Sequence, residues 1–268
     1  MGAAVAAEAT GAATVLWCSQ GRSKETSGRA AQRGLTPIAS LSALTERCDI
    51  ILSICPPANA HEVAAEVAEL GYSGIYVDAN AISPRSAETI GALVERGGAV
   101  FVDGSVVGSP PSPAKVARLY LAGPKGAVTE TARLFLGTQV DPRVLSGDTG
   151  SASALKLAYS SYQKASRALA AVAHALAADH GVEGELLDIA QSHPTSYLSD
   201  PDYFPKVAAR AWRWAPEMRE VVEALAANGL PTDLAGGAAK VLDRWEDAKG
   251  QSLTVLEALE RLRFQGAP

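Results

Sequence analysis

The sequence predicts an α/β domain built on a doubly wound, mostly parallel sheet, followed by an all-helical domain. Three observations predict it. From residue 13 to 145, short apolar runs alternate with helical runs of ten or so residues, the pattern of βαβ units. After Gly150 the strand signals stop and every periodic segment has helical spacing. Between these regions a glycine turn, Gly147-Asp-Thr-Gly150, feeds an alanine-rich stretch that runs to about His180. There Leu155, Tyr159, Tyr162, Leu169 and Leu176 fall at spacings of three, four and seven, one helical face. Alanine, the strongest helix former, fills much of the rest. At 1.5 Å per residue that helix is a rod of roughly 45 Å. It reads as the seam between domains at 1–146 and 147–268.

In chain order, residues 2–10 are helical in character and Gly11 ends them. Residues 13–18 (ATVLWC) form a strand, and Ser23 caps a helix that stops at Gly34. A short strand at Pro37-Ile38 and a helical turn near 42–47 precede a buried strand at 49–54, ended by Cys55-Pro56-Pro57. Helix 59–70, strand 74–78 and helix 84–95 follow, the last with Pro at its first turn. Residues 99–103 form a strand and 104–114, rich in Gly, Ser and Pro, a loop. Strand 116–122, helix 126–135 and strand 140–145 complete the α/β domain. Beyond the long helix, helices are expected at 184–191, 205–212, 216–227, 234–249 and 253–262.

Composition narrows the function classes. A net charge of -5 and a pI near 5.5, with no run of Lys or Arg, argue against a nucleic-acid partner. Cys18, Cys48 and Cys55 are an odd set without Cys-x-x-Cys spacing, and His61, His174, His180 and His193 lack ligand spacing. Neither a disulfide framework nor a metal site is suggested. No apolar run reaches the length of a membrane span, and the N-terminus lacks the features of a signal peptide. The expectation is a soluble cytoplasmic protein with a small-molecule substrate, without nucleic acid or membrane partners.

Ligands of an open parallel sheet sit at the carboxyl ends of its strands. At the first end, Cys18-Ser19-Gln-Gly-Arg22-Ser23-Lys24 carries no acidic residue. An acid there selects the ribose hydroxyls of NAD and an arginine the 2′-phosphate of NADP, so Ser19, Arg22 and Ser23 favour NADP, with NAD possible. At the second, Cys55 and Pro56 form a rigid turn suited either to wall a ribose or nicotinamide or simply to stop a strand. At the third, Asn80 precedes Ser83-Pro84, a position that serves the cleft or plain helix capping.

The run from Met1-Gly2, the stretch Asp103-Gly104-Ser105-Val-Val-Gly108-Ser109, and Gly147-x-x-Gly150 leading to Lys156 resemble the β-hydroxyacid dehydrogenase and 6-phosphogluconate dehydrogenase superfamily. VDANAISP, DGSVVGSPP and Arg213-Trp214-Ala-Pro-Glu217-Met218 look most like its bacterial branch with a helical C-terminal domain of uncharacterised function. The resemblance implies a Rossmann-type domain and hydride transfer between a nicotinamide and a small hydroxy acid. In the family an Asp-Ala-Pro-Val-Ser-Gly-Gly loop binds the substrate carboxylate, and here Ser105, Gly108 and Ser109 lie in the matching stretch. Lys156 matches the family's general acid/base lysine, and Ser160 stands where the family has asparagine. Ala152 replaces the third glycine of the lead-in. Arg210, Arg213, Trp214 and Glu217 are candidates for the substrate pocket, although Arg213–Glu217 is equally an i, i+4 pair.

Imine reductases share the architecture but generally carry another residue at the lysine position, so Lys156 favours alcohol/carbonyl chemistry. The family's dinucleotide fingerprint commonly ends in Met-Gly, which makes Gly2 its third glycine. The first strand and two glycines then belong upstream, and the expectation is an N-terminally truncated reading; a chain truncated in the cell gives the alternative function, a non-catalytic dimerising relic, beside that of an imine reductase-like enzyme. The resemblance and the alanine-rich helix imply a homodimer.

Overall fold

The computed structural model describes residues 1–192, 197 and 200–263. The chain falls into two compact units, Met1–Lys156 and Leu157–Pro268.

In the first unit the strands are β1 (Leu16–Cys18), β2 (Thr36–Ile38), β3 (Ile50–Ser53), β4 (Ile75–Asp78), β5 (Val100–Val107), β6 (Ala117–Ala122) and β7 (Val140–Val144). Helices α1 (Gly2–Glu8), α2 (Lys24–Ala31), α3 (Leu41–Thr45), α4 (Pro57–Glu69), α5 (Pro84–Arg96) and α6 (Lys125–Arg133) connect or precede them. The sheet is in two parts. β1 pairs with β2 in parallel, while β3-β4-β5-β6-β7 forms a separate five-stranded sheet, parallel except between β5 and β6.

Helices cover both faces of the larger sheet because alternate side chains point to opposite sides. Val77, Val102 and Val106 pack with Val5 of α1 and Val128 of α6. Tyr76 and Phe101, on the other face, pack with Ala60, Ala64 and Val67 of α4 and Ile90 and Val94 of α5. Each fully buried side chain of this size contributes about 1.5–3 kcal/mol. Serines set the helix starts: Ser23, Ser40 and Ser83 accept from Thr26 N, Ala43 N and Ser86 N at 3.2, 3.1 and 3.1 Å.

Residues 104–107, expected as the start of a loop, instead continue β5. Ser105 stands opposite Tyr120 and Val107 opposite Arg118 in the antiparallel pair with β6. The ladder satisfies their backbone groups and overrides a turn-like composition. The loop begins at Gly108, whose φ of 120° suits glycine alone.

The long helix, α7, spans Ser151–Asp179. Its first six residues belong to the compact unit that ends at Lys156. The large apolar face read from the sequence points outward. Leu155, Tyr159, Tyr162 and Leu169 are 39%, 43%, 66% and 69% exposed, whereas Leu157, Ser160, Lys164, Ala168 and Ala171 are buried.

The second unit continues with α8 (Glu183–Gln191), α9 (Phe204–Ala227), α10 (Asp233–Asp243) and α11 (Val255–Glu260). The helix expected at 234–249 ends earlier, and a 3₁₀ turn at Glu246–Ala248 follows. Residues 205–212 and 216–227, expected as two helices, form one 24-residue helix with Pro216 inside it. Proline removes one helical hydrogen bond at a cost of about 3 kcal/mol. Pro216 lies on the exposed side, while Ala211, Trp214, Ala215, Met218 and Val221 bury the other face and offset that loss. Trp245 is fully buried, and its indole N–H donates to Ala258 O at 2.7 Å.

Candidate active site

The middle of β5 and the start of α7 are tied together by Asp103, which is fully buried. Its Oδ2 accepts the backbone N–H groups of Gly150, Ala152 and Ser153 at 2.9, 2.9 and 3.1 Å. Its Oδ1 accepts the Ser153 hydroxyl at 2.7 Å. A strand residue thus satisfies N–H groups that the first turn of a helix leaves unpaired. Burial pushes the Asp103 carboxyl up, and the Ser153 hydroxyl and the three N–H groups pull it back. Gly150 enters this turn at a φ of 97°, and a Cβ there would lie 3.2 Å from Pro84 Cβ.

One turn further along α7, the half-buried Lys156 donates from Nζ to Val106 O at 3.0 Å. Its ammonium therefore stands at the carboxyl end of β5. Ser105 is buried in the strand, and its Oγ has no hydrogen-bond partner among the described residues. Gly108 and Ser109 are exposed just beyond the strand. Laid position by position on Asp103–Ser109, the family's Asp-Ala-Pro-Val-Ser-Gly-Gly puts its serine at Val107. A hydroxyl at that position is missing here, while Ser109 carries one two residues on.

Asn80 organises the ends of β3 and β4. Its Oδ1 accepts Cys55 N at 2.6 Å, and its Nδ2 donates to Ser53 Oγ and Asp78 Oδ2, both at 3.1 Å. Its own N–H donates to Asp78 Oδ1 at 3.0 Å. Both amide hydrogens are thus spent inside the protein, and one acceptor lone pair of Oδ1 remains for a ligand. Asp78 is 1% exposed, and burial pushes its carboxyl up to about 6 against the pull of the Asn80 backbone and side chain. Ser53, Asp78 and Asp103 stand side by side in register across β3, β4 and β5. Burial also raises the Cys55 thiol, which rules against a thiolate there at neutral pH. Pro56 is the N-cap of α4.

At the end of β1, Ser19 donates to Ile38 O at 3.0 Å and Ser23 caps α2, so both hydroxyls serve the loop. Arg22 and Lys24 are exposed. Gly2 opens α1, and a Cβ there would stand 3.4 Å from Ile54 O. That is ordinary van der Waals distance, so the approach of α1 to the end of β3 does not itself demand glycine.

In the second unit, Ser160 is 1% exposed and Arg213 lies at the surface. Glu217 pairs with the buried Lys164 of α7 rather than with Arg213, and the Lys164 ammonium sits 5.7 Å from the Trp214 ring centroid. Neither Lys164 nor Asp103 stands out in the sequence alone. Asp103 heads a quoted motif, but its partners lie 47–50 residues away. His174 is fully buried against Phe204 and bonds Glu183 at 3.1 Å, a structural role; His193 lies outside the described residues. Among the described residues no three His, Cys, Asp or Glu side chains gather as a metal site, and no helix is long and apolar enough to cross a membrane.

A doubly wound sheet with cations at one strand end and a capped long helix at another defines the class of dinucleotide-binding α/β proteins with a helical C-terminal domain. Residues 1–139 match the NAD binding domain of 6-phosphogluconate dehydrogenase, and residues 177–245 match a domain of unknown function (DUF1932). The first match covers 139 of 268 residues, and the chain belongs to that family. A 28.5 kDa protein from the 7S RNA 5′ region of Methanothermus fervidus is 27% identical over 175 residues, 65% of this chain and 66% of that one. A conserved protein of unknown function, described as structurally similar to 3-hydroxyacid dehydrogenases, is 25% identical over 92% of this chain and 93% of its own, with a TM-score of 0.68. The 3-hydroxyisobutyrate dehydrogenase of Mycobacterium tuberculosis shares the fold at 18% identity, with a TM-score of 0.75 over 98% of this chain and 96% of its own.

The strand-end residues fit the adenosine end of a dinucleotide. Arg22 and Lys24 offer exposed cations, and no carboxylate occupies the loop between Cys18 and Ser23. Gly2, the first residue of α1, lies beside Ile54 just after β3, and α1 has no side-chain cap.

Proposed function

We propose that this protein is an NADP-preferring oxidoreductase that interconverts a small hydroxy acid and its carbonyl counterpart. The observation that carries the reading is Lys156, half-buried on α7 with its ammonium on Val106 O at the carboxyl end of β5. A bound nicotinamide would supply the acceptor or donor of the hydride exchanged with the carbinol carbon. Lys156 as the neutral amine takes the hydroxyl proton during oxidation, and as the ammonium gives it back during reduction. Exposed backbone N–H groups around Gly108 and Ser109 anchor the substrate carboxylate. Arg22 holds the 2′-phosphate of the cofactor, and Asn80 keeps the turn at Cys55 and Pro56 in place beside it. Ser160 and Arg213 are the remaining substrate-binding candidates in this reading.

The test is turnover of the full chain on 2- and 3-hydroxy acids and on cyclic imines, with both cofactors, beside Lys156→Ala. The variant is expected to lose turnover by roughly 10²–10⁴-fold. Its NADPH affinity, read by quenching of tryptophan fluorescence, should stay within twofold. Unchanged turnover in the variant removes Lys156 from the mechanism, and turnover of imines alone replaces the substrate class. The same reading makes the protein a homodimer, supported by the outward apolar face of α7 at Leu155, Tyr159, Tyr162 and Leu169. Light scattering across a dilution series checks it, and a monomer at all concentrations rejects it.

A further inference from the structure

We propose that Asp103 is the positioning residue of this site: its buried carboxylate fixes the first turn of α7 against β5 and so decides where the Lys156 ammonium stands. The inference rests on the proposed role of Lys156 and adds a second group to it.

Two fixed points hold the helix to the strand. Asp103 grips Gly150, Ala152 and Ser153, and three residues on in each element Lys156 reaches Val106 O. Three helical residues advance about 4.5 Å and three strand residues about 10 Å. The extended lysine side chain spans the difference, so a shift of the first turn moves the ammonium directly. The Gly150, Ala152 and Ser153 N–H groups all end on the one oxygen, Oδ2, so a single carboxylate carries the hydrogen bonds of this turn to β5.

The carboxylate also contributes charge. Its hydrogen-bonding partners are all donors, the arrangement that favours the ionised form. The charged group beside it in register is Asp78 on β4, and on α7 it meets the positive end of the helix; the Lys156 ammonium stands three strand residues further along β5, on Val106 O. β6 presents only Ala122 in register. A charge about 10 Å away at an effective dielectric near 20 moves a lysine by about one pH unit.

Two variants of the full chain separate geometry from charge. In Asp103→Asn the side-chain oxygen still accepts the α7 N–H groups while the charge is gone. In Asp103→Ala all four bonds are gone. The readouts are kcat and KM with NADPH, NADPH affinity, and an NMR titration of ¹³Cε-labelled lysine, with the Lys156 resonance identified by its loss in Lys156→Ala.

Asp103→Asn should retain NADPH affinity within twofold and lower the Lys156 midpoint by about one unit, carrying the alkaline limb of the kcat profile with it. Asp103→Ala should lose about 100-fold in kcat, the penalty of an ångström-scale misplacement, with KM within a few-fold. An unshifted Lys156 titration in Asp103→Asn overturns the proposal, as does wild-type kcat in a folded Asp103→Ala. If Asp103→Ala does not fold, Asp103→Asn decides alone. The titration is independent of turnover, so an active Lys156→Ala would defeat the functional reading while the Asp103–Lys156 coupling was still measured.

Discussion

Replacing Lys164 with methionine should destabilise the helical unit by about 3–5 kcal/mol, because it strands a buried carboxylate. Lys164 and Glu217 are only 4% and 9% exposed, and their ion pair joins α7 to α9 beneath Trp214. Removing one partner leaves the other charged and without water, whereas removing both leaves an apolar contact of similar volume. The lost cation–π contact with Trp214 adds about 0.5–2 kcal/mol. At about 2–4 °C per kcal/mol for a chain of this size, the single variant should melt roughly 6–20 °C lower. Lys164→Met/Glu217→Leu should recover most of that loss. Scanning calorimetry of the four proteins of the cycle, with urea unfolding as a second probe, isolates the pairwise contribution. The reasoning fails if Lys164→Met melts within about 2 °C of the parent. It fails equally if the double variant is no more stable than the worse single one.

Asp78 gives the stability a pH dependence of unusual sign. Its folded value near 6 lies above the ordinary 3.8, so the native state binds more protons between about pH 4 and 6. The contribution is fully present below about 4 and is lost as pH rises through 6, in total about 3 kcal/mol. Urea midpoints of the parent and Asp78→Asn should therefore diverge in the variant's favour as pH rises, and parallel curves would reject the assignment. Gly97→Ala should cost about 1–3 kcal/mol by overpacking, because the new Cβ would stand 2.7 Å from Ala68 Cα, a backbone atom that cannot step aside. A loss below about 0.5 kcal/mol in chemical denaturation would contradict that.

The alternation of strands and helices was legible because the elements carry their own periodicity, and several helices their own cap, as at Ser23 and Ser83-Pro84. What was not legible depends on distant partners. The Gly-Ser-Val-Val stretch after Asp103 has turn-like residues, and only β6 makes it a strand. Pro216 marks a break in any local reading, and only the buried face of α9 carries the helix through it. The apolar spacing in α7 identified a helix, but spacing alone does not say which face is buried. Apart from Leu157 the buried stripe is made of small and polar residues; Ala168 and Ala171 cluster with α9, and Lys164 pairs with its Glu217. For the site, Lys156 stood out through its lead-in and motif order. Asp103 stayed unseen as a tie because a lone aspartate in a strand does not announce which helix it will hold.

Asn80 has a mechanical consequence. A single carboxamide clamps the backbone amide after β3 to the carboxylate that closes β4, so the two loops behave as one stiff bracket. A molecule that grips either loop immobilises both, and slowed hydrogen exchange at Cys55 would report contacts made only near Ile82.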